Sequence, residues 1–144
     1  MAVSFAQIRS GVSNQIDALS GFNLVNVPPA FMGRTQKTIA HLGFSVGLDS
    51  TTQTNERQRR INDGYYLNSI VTVKFLYRLR PLDLYPTDYD LCSDKEIEVI
   101  KAVLASYAGI RDGIQIRFNS STREISPALE FMIVTLTFNT LHTI

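Results

Sequence analysis

The sequence predicts a single α+β domain over residues 1–144, in the order helix, strand, strand, helix, strand, strand. Three observations predict it. Two segments repeat apolar residues at three- and four-residue steps, as one face of a helix does. Four segments alternate apolar with polar or small residues, as half-buried strands do. The strands fall in two adjacent pairs, each read as a hairpin. A chain of 144 residues, 44% of them hydrophobic and 19% charged, can bury one core, and no second domain is needed.

Ser4 is placed to cap the first helix, whose stripe is Phe5, Ile8, Val12, Ile16 and Leu19, and Ser20-Gly21 ends it. Phe22 to Gly33 contains Val27-Pro28-Pro29, whose fixed φ angles and missing donors predict an extended surface linker. In the first strand Ala40, Leu42, Phe44, Val46 and Leu48 face one way, and His41, Gly43, Ser45 and Gly47 face the other. A polar stretch from Asp49 to the turn pair Asp63-Gly64 makes a large hairpin tip. The returning strand alternates Val71, Val73, Phe75, Tyr77 and Leu79 with Thr72, Lys74, Leu76, Arg78 and Arg80, and Pro81 stops it.

Pro81 to Leu91 reads as an acidic, aromatic loop, with Pro86 biasing Tyr85 away from helical angles. Ser93-Asp94-Lys95-Glu96 has the form of a capping box, which sets the start of the second helix at Ser93. Its stripe is Ile97, Ile100, Leu104, Tyr107 and Ala108, and Gly109 stops it. After Asp112-Gly113, Ile114, Ile116 and Phe118 mark the third strand, a loop runs from Asn119 to Ser126, and the last strand lies near Leu129 to Thr140. On that strand Leu129, Phe131 and Ile133 on one face and Met132, Val134, Leu136 and Phe138 on the other are all apolar. Such a strand is either central with helices on both sides or partly covered by a neighbouring subunit.

Fourteen Lys and Arg against 13 Asp and Glu leave a formal charge of +1, which argues against a nucleic-acid coat or polybasic membrane binder and predicts protein partners or none. Cys92 has no second thiol for a disulfide, redox pair or zinc site. The start MAVSFAQIRSGVSNQ lacks the regions of a signal peptide, and no run reaches the ~18 apolar residues of a membrane span, so synthesis and folding in the cytosol are expected. No glycine-rich phosphate loop, zinc-protease helix motif, nucleophile elbow or paired CxxC occurs, so no catalytic residue, metal ligand or cofactor is assigned.

Asp83, Asp88, Asp90 and Asp94 lack the spacing of a calcium loop and read as a solvated acidic stretch entering a helix N-terminus. His41 reads as an ordinary polar side chain, Cys92 as a small buried one, and His142 as part of a tail. Arg57, Arg59 and Arg60 on the first hairpin tip are the sharpest local feature. They form either a solvated loop or a grip for acidic protein or DNA backbone, with protein favoured by the neutral overall charge.

An N-terminal amphipathic helix, a long hairpin with a polar tip, a capped central helix and a closing hairpin resemble the tail terminator, or tail-completion, family of long-tailed bacteriophages. The segments FAQIRSGVSNQIDAL, VTVKFLYRLRP, SDKEIEVIKAVL and SPALEFMIVTLTF carry the resemblance, which spans most of the chain. It implies a mixed or antiparallel sheet with flanking helices and a hexameric ring. It also implies a non-enzymatic virion protein, assembled in the host cytoplasm, that caps the tail tube, ends its polymerisation and joins the tail to the head connector. The implied partners are further copies of the chain, the tail tube protein and the head–tail connector protein, with DNA passing through the lumen. The tip from Gln53 to Asn62 would then extend from the ring. Its arginines are not a hallmark of that family, and it is the basic tip itself that makes Arg57, Arg59 and Arg60 a partner-binding loop, as the doubly apolar last strand makes Phe131 and Ile133 a subunit interface.

Three other readings stay open. A head-completion or stopper protein would share the neck. An enzyme would show a cavity with an upshifted carboxylate near Tyr85, Asp88 and Tyr89. A nucleic-acid module would gather Arg57, Arg59, Arg60, Arg78 and Arg80 on one face.

Overall fold

The structure, a computed structural model, describes residues 4–24, 41–53, 66–80, 85–105, 115–125 and 131–143. Helix α1 (Phe5–Asp17) starts where the sequence places it. Ser4 is extended, its Oγ accepts the Gln7 N–H at 3.1 Å, and Gln7 Oε1 accepts the Ser4 N–H at 2.8 Å, so donors left open by the first turn are paired. Ile8, Val12 and Ile16 form the buried stripe. Gly21 follows at φ +89°, and a Cβ there would stand 3.2 Å from Leu42 Cδ1, so this turn requires glycine.

Past that turn the surface linker gives way to packed chain. Phe22 is buried edge-on against Phe44 and Phe75, and β1 (Asn23–Leu24) runs parallel to the start of β2 (Gly43–Gln53). The area a phenylalanine removes from water outweighs the extended bias of the prolines downstream, and the rest of the expected linker, to Gly33, lies outside the described residues, as does Ala40 of the expected first strand.

Strand β2 continues past Leu48 to Gln53, so the start of the expected polar tip is paired strand, and β3 (Tyr66–Arg78) starts before Val71; the rest of the tip lies outside the described residues. The register shifts at Asp49, and the polar residues beyond it, two threonines among them, suit an exposed strand end.

Helix α2 (Tyr85–Ala105) begins well before Ser93, which corrects both the acidic loop and the capping box. Pro86 lies in the first turn, where its missing N–H has no helical partner to lose, and Asp88 stands at the positive end of the helix. Ser93 is therefore mid-helix, its Oγ donating to the Tyr89 carbonyl at 3.0 Å. The buried stripe is Asp88, Cys92, Glu96, Val99 and Val103; of the expected stripe, Ile100 and Leu104 pack half-buried against the same core, whereas Ile97 is exposed. Tyr107, Ala108 and Gly109 fall outside the described residues.

Strand β4 (Gln115–Ile125) also runs through an expected loop, pairing antiparallel with β5 (Phe131–Thr143) and shifting register at Asn119. Before the shift Phe118 stands beside core residue Phe138, and after it Ser121 and Arg123 stand beside Leu136 and Val134. One extra residue thus moves the polar run onto the helix side, which a strict period of two cannot anticipate.

The five strands form one sheet in the order β1-β2-β3-β5-β4, parallel at β1·β2 and antiparallel elsewhere. The α+β class stands, with β1 added to the expected order. Residues of both helices share one core with Phe44, Val73, Phe75, Val134, Leu136 and Phe138, so both helices cover the same face. On β5 the other face starts with Phe131 and Ile133 and continues as Thr135, Thr137 and Asn139, with no described helix over it. Among the described residues no helix is long and apolar enough to cross a membrane.

Candidate interaction surface

Arg57, Arg59 and Arg60 lie outside the described residues. Arg78 and Arg80 are at the end of β3 opposite Tyr66, the end nearest those arginines in sequence, and a strand of 13 residues is about 40 Å long. Ile133 is 6% exposed and packs with Leu76, which is 2% exposed, so this pair is not the open apolar face that the sequence suggests. Phe131 is half-buried against them, with the Arg78 guanidinium 5.6 Å from its ring.

Two carboxylates of α2 are spent on structure. Asp88, 1% exposed, accepts the Arg80 backbone N–H at 2.7 Å, Arg80 Nε at 2.8 Å and Arg80 Nη2 at 2.6 Å. Those Arg80 hydrogen bonds hold its carboxyl below the usual range against the upward push of burial, the reverse of the upshifted acid an enzyme would need here. Glu96 accepts Arg123 Nε and Nη2, each at 2.7 Å, and Ser121 Oγ at 3.2 Å, which fastens α2 to β4.

His41 precedes β2 rather than lying within it. Its Nδ1 accepts the Arg78 N–H at 3.1 Å, and burial first, then Arg78, lowers its pKa. Burial, with Glu96 beside it, pushes the Cys92 thiol up to about 12, so it supplies no thiolate at neutral pH.

His142 is not in a tail. It is fully buried on β5, its Nε2 2.8 Å from Ser69 Oγ, and Ser69 Oγ lies 2.9 Å from Thr51 Oγ1. A serine–histidine hydrogen bond is the first contact of a hydrolytic relay. Here both side chains are fully buried and the Phe5 ring stands edge-on to the imidazole at 5.8 Å, so the trio ties β2, β3 and β5 together. The signal was present in the alternation, because Thr140 and His142 continue the inward series of Met132 to Phe138.

Among the described residues the β4 edge of the sheet has no outer neighbour. Most side chains of β4 are exposed, including Phe118 at 40% and Ile125 at 39%, although both residues pair with core residues of β5. An open groove of about 640 Å³ lies between Tyr89 of α2, Ser121 to Ile125 of β4 and Met132 of β5. No cluster of His, Cys, Asp and Glu suited to a metal ion occurs among the described residues. No family model matches the chain, and no curated protein matches it.

Proposed function

We propose that the protein is a tail terminator of a long-tailed bacteriophage, a ring-forming virion component that caps the tail tube, ends its polymerisation and joins it to the head connector. The observation that carries this reading is the joining of the β2–β3 and β4–β5 hairpins through β3·β5 into one sheet, with both helices on one face. It supports the helix, hairpin, helix, hairpin order on which the resemblance rests, with β1 added and the central helix starting at Tyr85 rather than at the expected cap. The open lateral edge at β4 adds support, because a ring subunit needs surfaces for two neighbours.

In this reading the partners are further copies of the chain, the tube protein and the connector protein, and Arg57, Arg59 and Arg60 meet an acidic protein surface. The test is virion assembly without the protein, followed by electron microscopy. Tailless heads beside tubes of uncontrolled length are expected, and normal tails joined to heads would overturn the reading.

A further inference from the structure

We propose that β4 of one copy pairs with the β1–β2 edge of the next, continuing the sheet from subunit to subunit. The inference rests on the ring reading and names its contact.

Among the described residues both sheet edges have an exposed stretch. Strand β1 covers Gly43 and Phe44, Ser45 and Val46 are buried, and β2 is exposed from Asp49 onward, while β4 has no described outer neighbour along its length. Soluble proteins block such edges with lysine, proline or bulges. Neither Ser45–Gln53 nor Gln115–Ile125 contains lysine or proline; β2 carries Asp49 and β4 carries Arg117, Arg123 and Glu124, and each strand has one register shift, so pairing is limited to the residues on one side of it.

Strand direction makes the two edges complementary. β1 and β2 run together, β3 opposes them, β5 opposes β3 and β4 opposes β5. In a neighbour that faces the same way, β4 therefore meets β1 and β2 antiparallel, the arrangement with perpendicular hydrogen bonds. Helices of both copies then stay on one side.

Side chains match as well. Leu24, 49% exposed, pairs with core residue Phe44 and so lies on the helix side, as Phe118 and Ile125 do at the other edge. Arg117 pairs with Asn139 and Asp49 bonds Thr72, which puts these opposite charges together on the other side. A contact between two different edges is heterologous and closes into a ring if the rotation permits.

The test uses two double variants, Phe118→Asp/Ile125→Asp for the β4 edge and Leu24→Asp/Thr52→Asp for the other, all four residues being exposed, with mass measured in solution. Each alone should be monomeric, and an equimolar mixture should give a heterodimer that grows no further, because one intact edge remains on each copy. Where a variant melts well below wild type, amide exchange on wild type serves instead. Assembly should slow exchange of the outward amides of β4 on one side of Asn119, and unchanged exchange along all of β4 in assembled protein would overturn the proposal.

A β4–β4 dimer would also overturn it, since the β4 variant would then be monomeric, the other variant wild-type in mass, and the mixture without a heterodimer. Ring formation by both variants would remove the edge contact and leave the ring reading standing. A wild type that stays monomeric at every concentration would remove both.

Discussion

Helices α1 and α2 carry similar text, Ser-Phe-Ala-Gln at residues 4–7 and Ser-Asp-Lys-Glu at residues 93–96, yet the first is a cap and the second is mid-helix. At Ser4 both halves of the box close on each other. At Ser93 both are engaged elsewhere, the hydroxyl with the Tyr89 carbonyl and the Glu96 carboxylate with Arg123 and Ser121. Magnitudes decide between these outcomes. A cap is worth about 1 kcal/mol, whereas hydrogen bonds to a charged group contribute about 1.5–3 kcal/mol each. A signature of four residues therefore marks a boundary only where no distant partner outbids it.

The strongest way to break this contrast is to remove the distant partner. Glu96→Ala should destabilise the protein by about 3 kcal/mol, because it leaves the Arg123 guanidinium and Ser121 hydroxyl without their shared acceptor. Arg123 is 35% exposed, so water reaches it and the loss stays at the low end for a broken buried pair. Urea unfolding is the measurement, and a loss below about 1 kcal/mol would mean that something else fastens α2 to β4.

Asp88 gives the next effect, readable through pH. Its folded pKa is depressed by Arg80, so ionisation is favoured in the fold. The contribution is complete above about pH 5 and is lost as pH falls through the ordinary carboxylate range towards the lower folded value. The Arg80 side chain is half exposed and water screens the pair, so Asp88→Asn should lower stability at pH 7 by about 1–2 kcal/mol, and the gap to wild type should shrink near pH 3. Equal gaps at both pH values would show that packing, not charge, is what Asp88 supplies.

What the sequence displayed tracks how local each cause is. The stripe Ile8, Val12 and Ile16 and the alternation Val71, Val73, Phe75 are legible because a single element determines each. The second half of β4 was hidden by one bulge at Asn119, and α2's start by a box whose members bond elsewhere. His142 and Ser69 are 73 residues apart, and Glu96 and Arg123 are 27 apart, so nothing in either neighbourhood signals the contact. The candidate surface was harder still. A strand's exposure at the edge depends on sheet order, and β4 is outermost because β5 inserts beside β3, a pairing that no periodicity records.

The smallest effects sharpen the comparison most, because they put the two serines side by side. Ser4→Ala removes the acceptor for the Gln7 N–H and frees Gln7 from its return bond, so it should cost about 1 kcal/mol. Ser93→Ala removes only a donor to a carbonyl four residues back, in a helix whose ladder already uses such carbonyls. Alanine is also the better helix former by roughly 0.5 kcal/mol. The variant should therefore match wild type or exceed it by up to that amount, with an unchanged denaturant slope. Opposite signs for the same substitution in the same kind of text would show that backbone position, rather than residue identity, makes the cap. A loss of 1 kcal/mol or more at Ser93 would instead return the start of α2 to that residue and undo the account of Pro86 and Asp88 given for it.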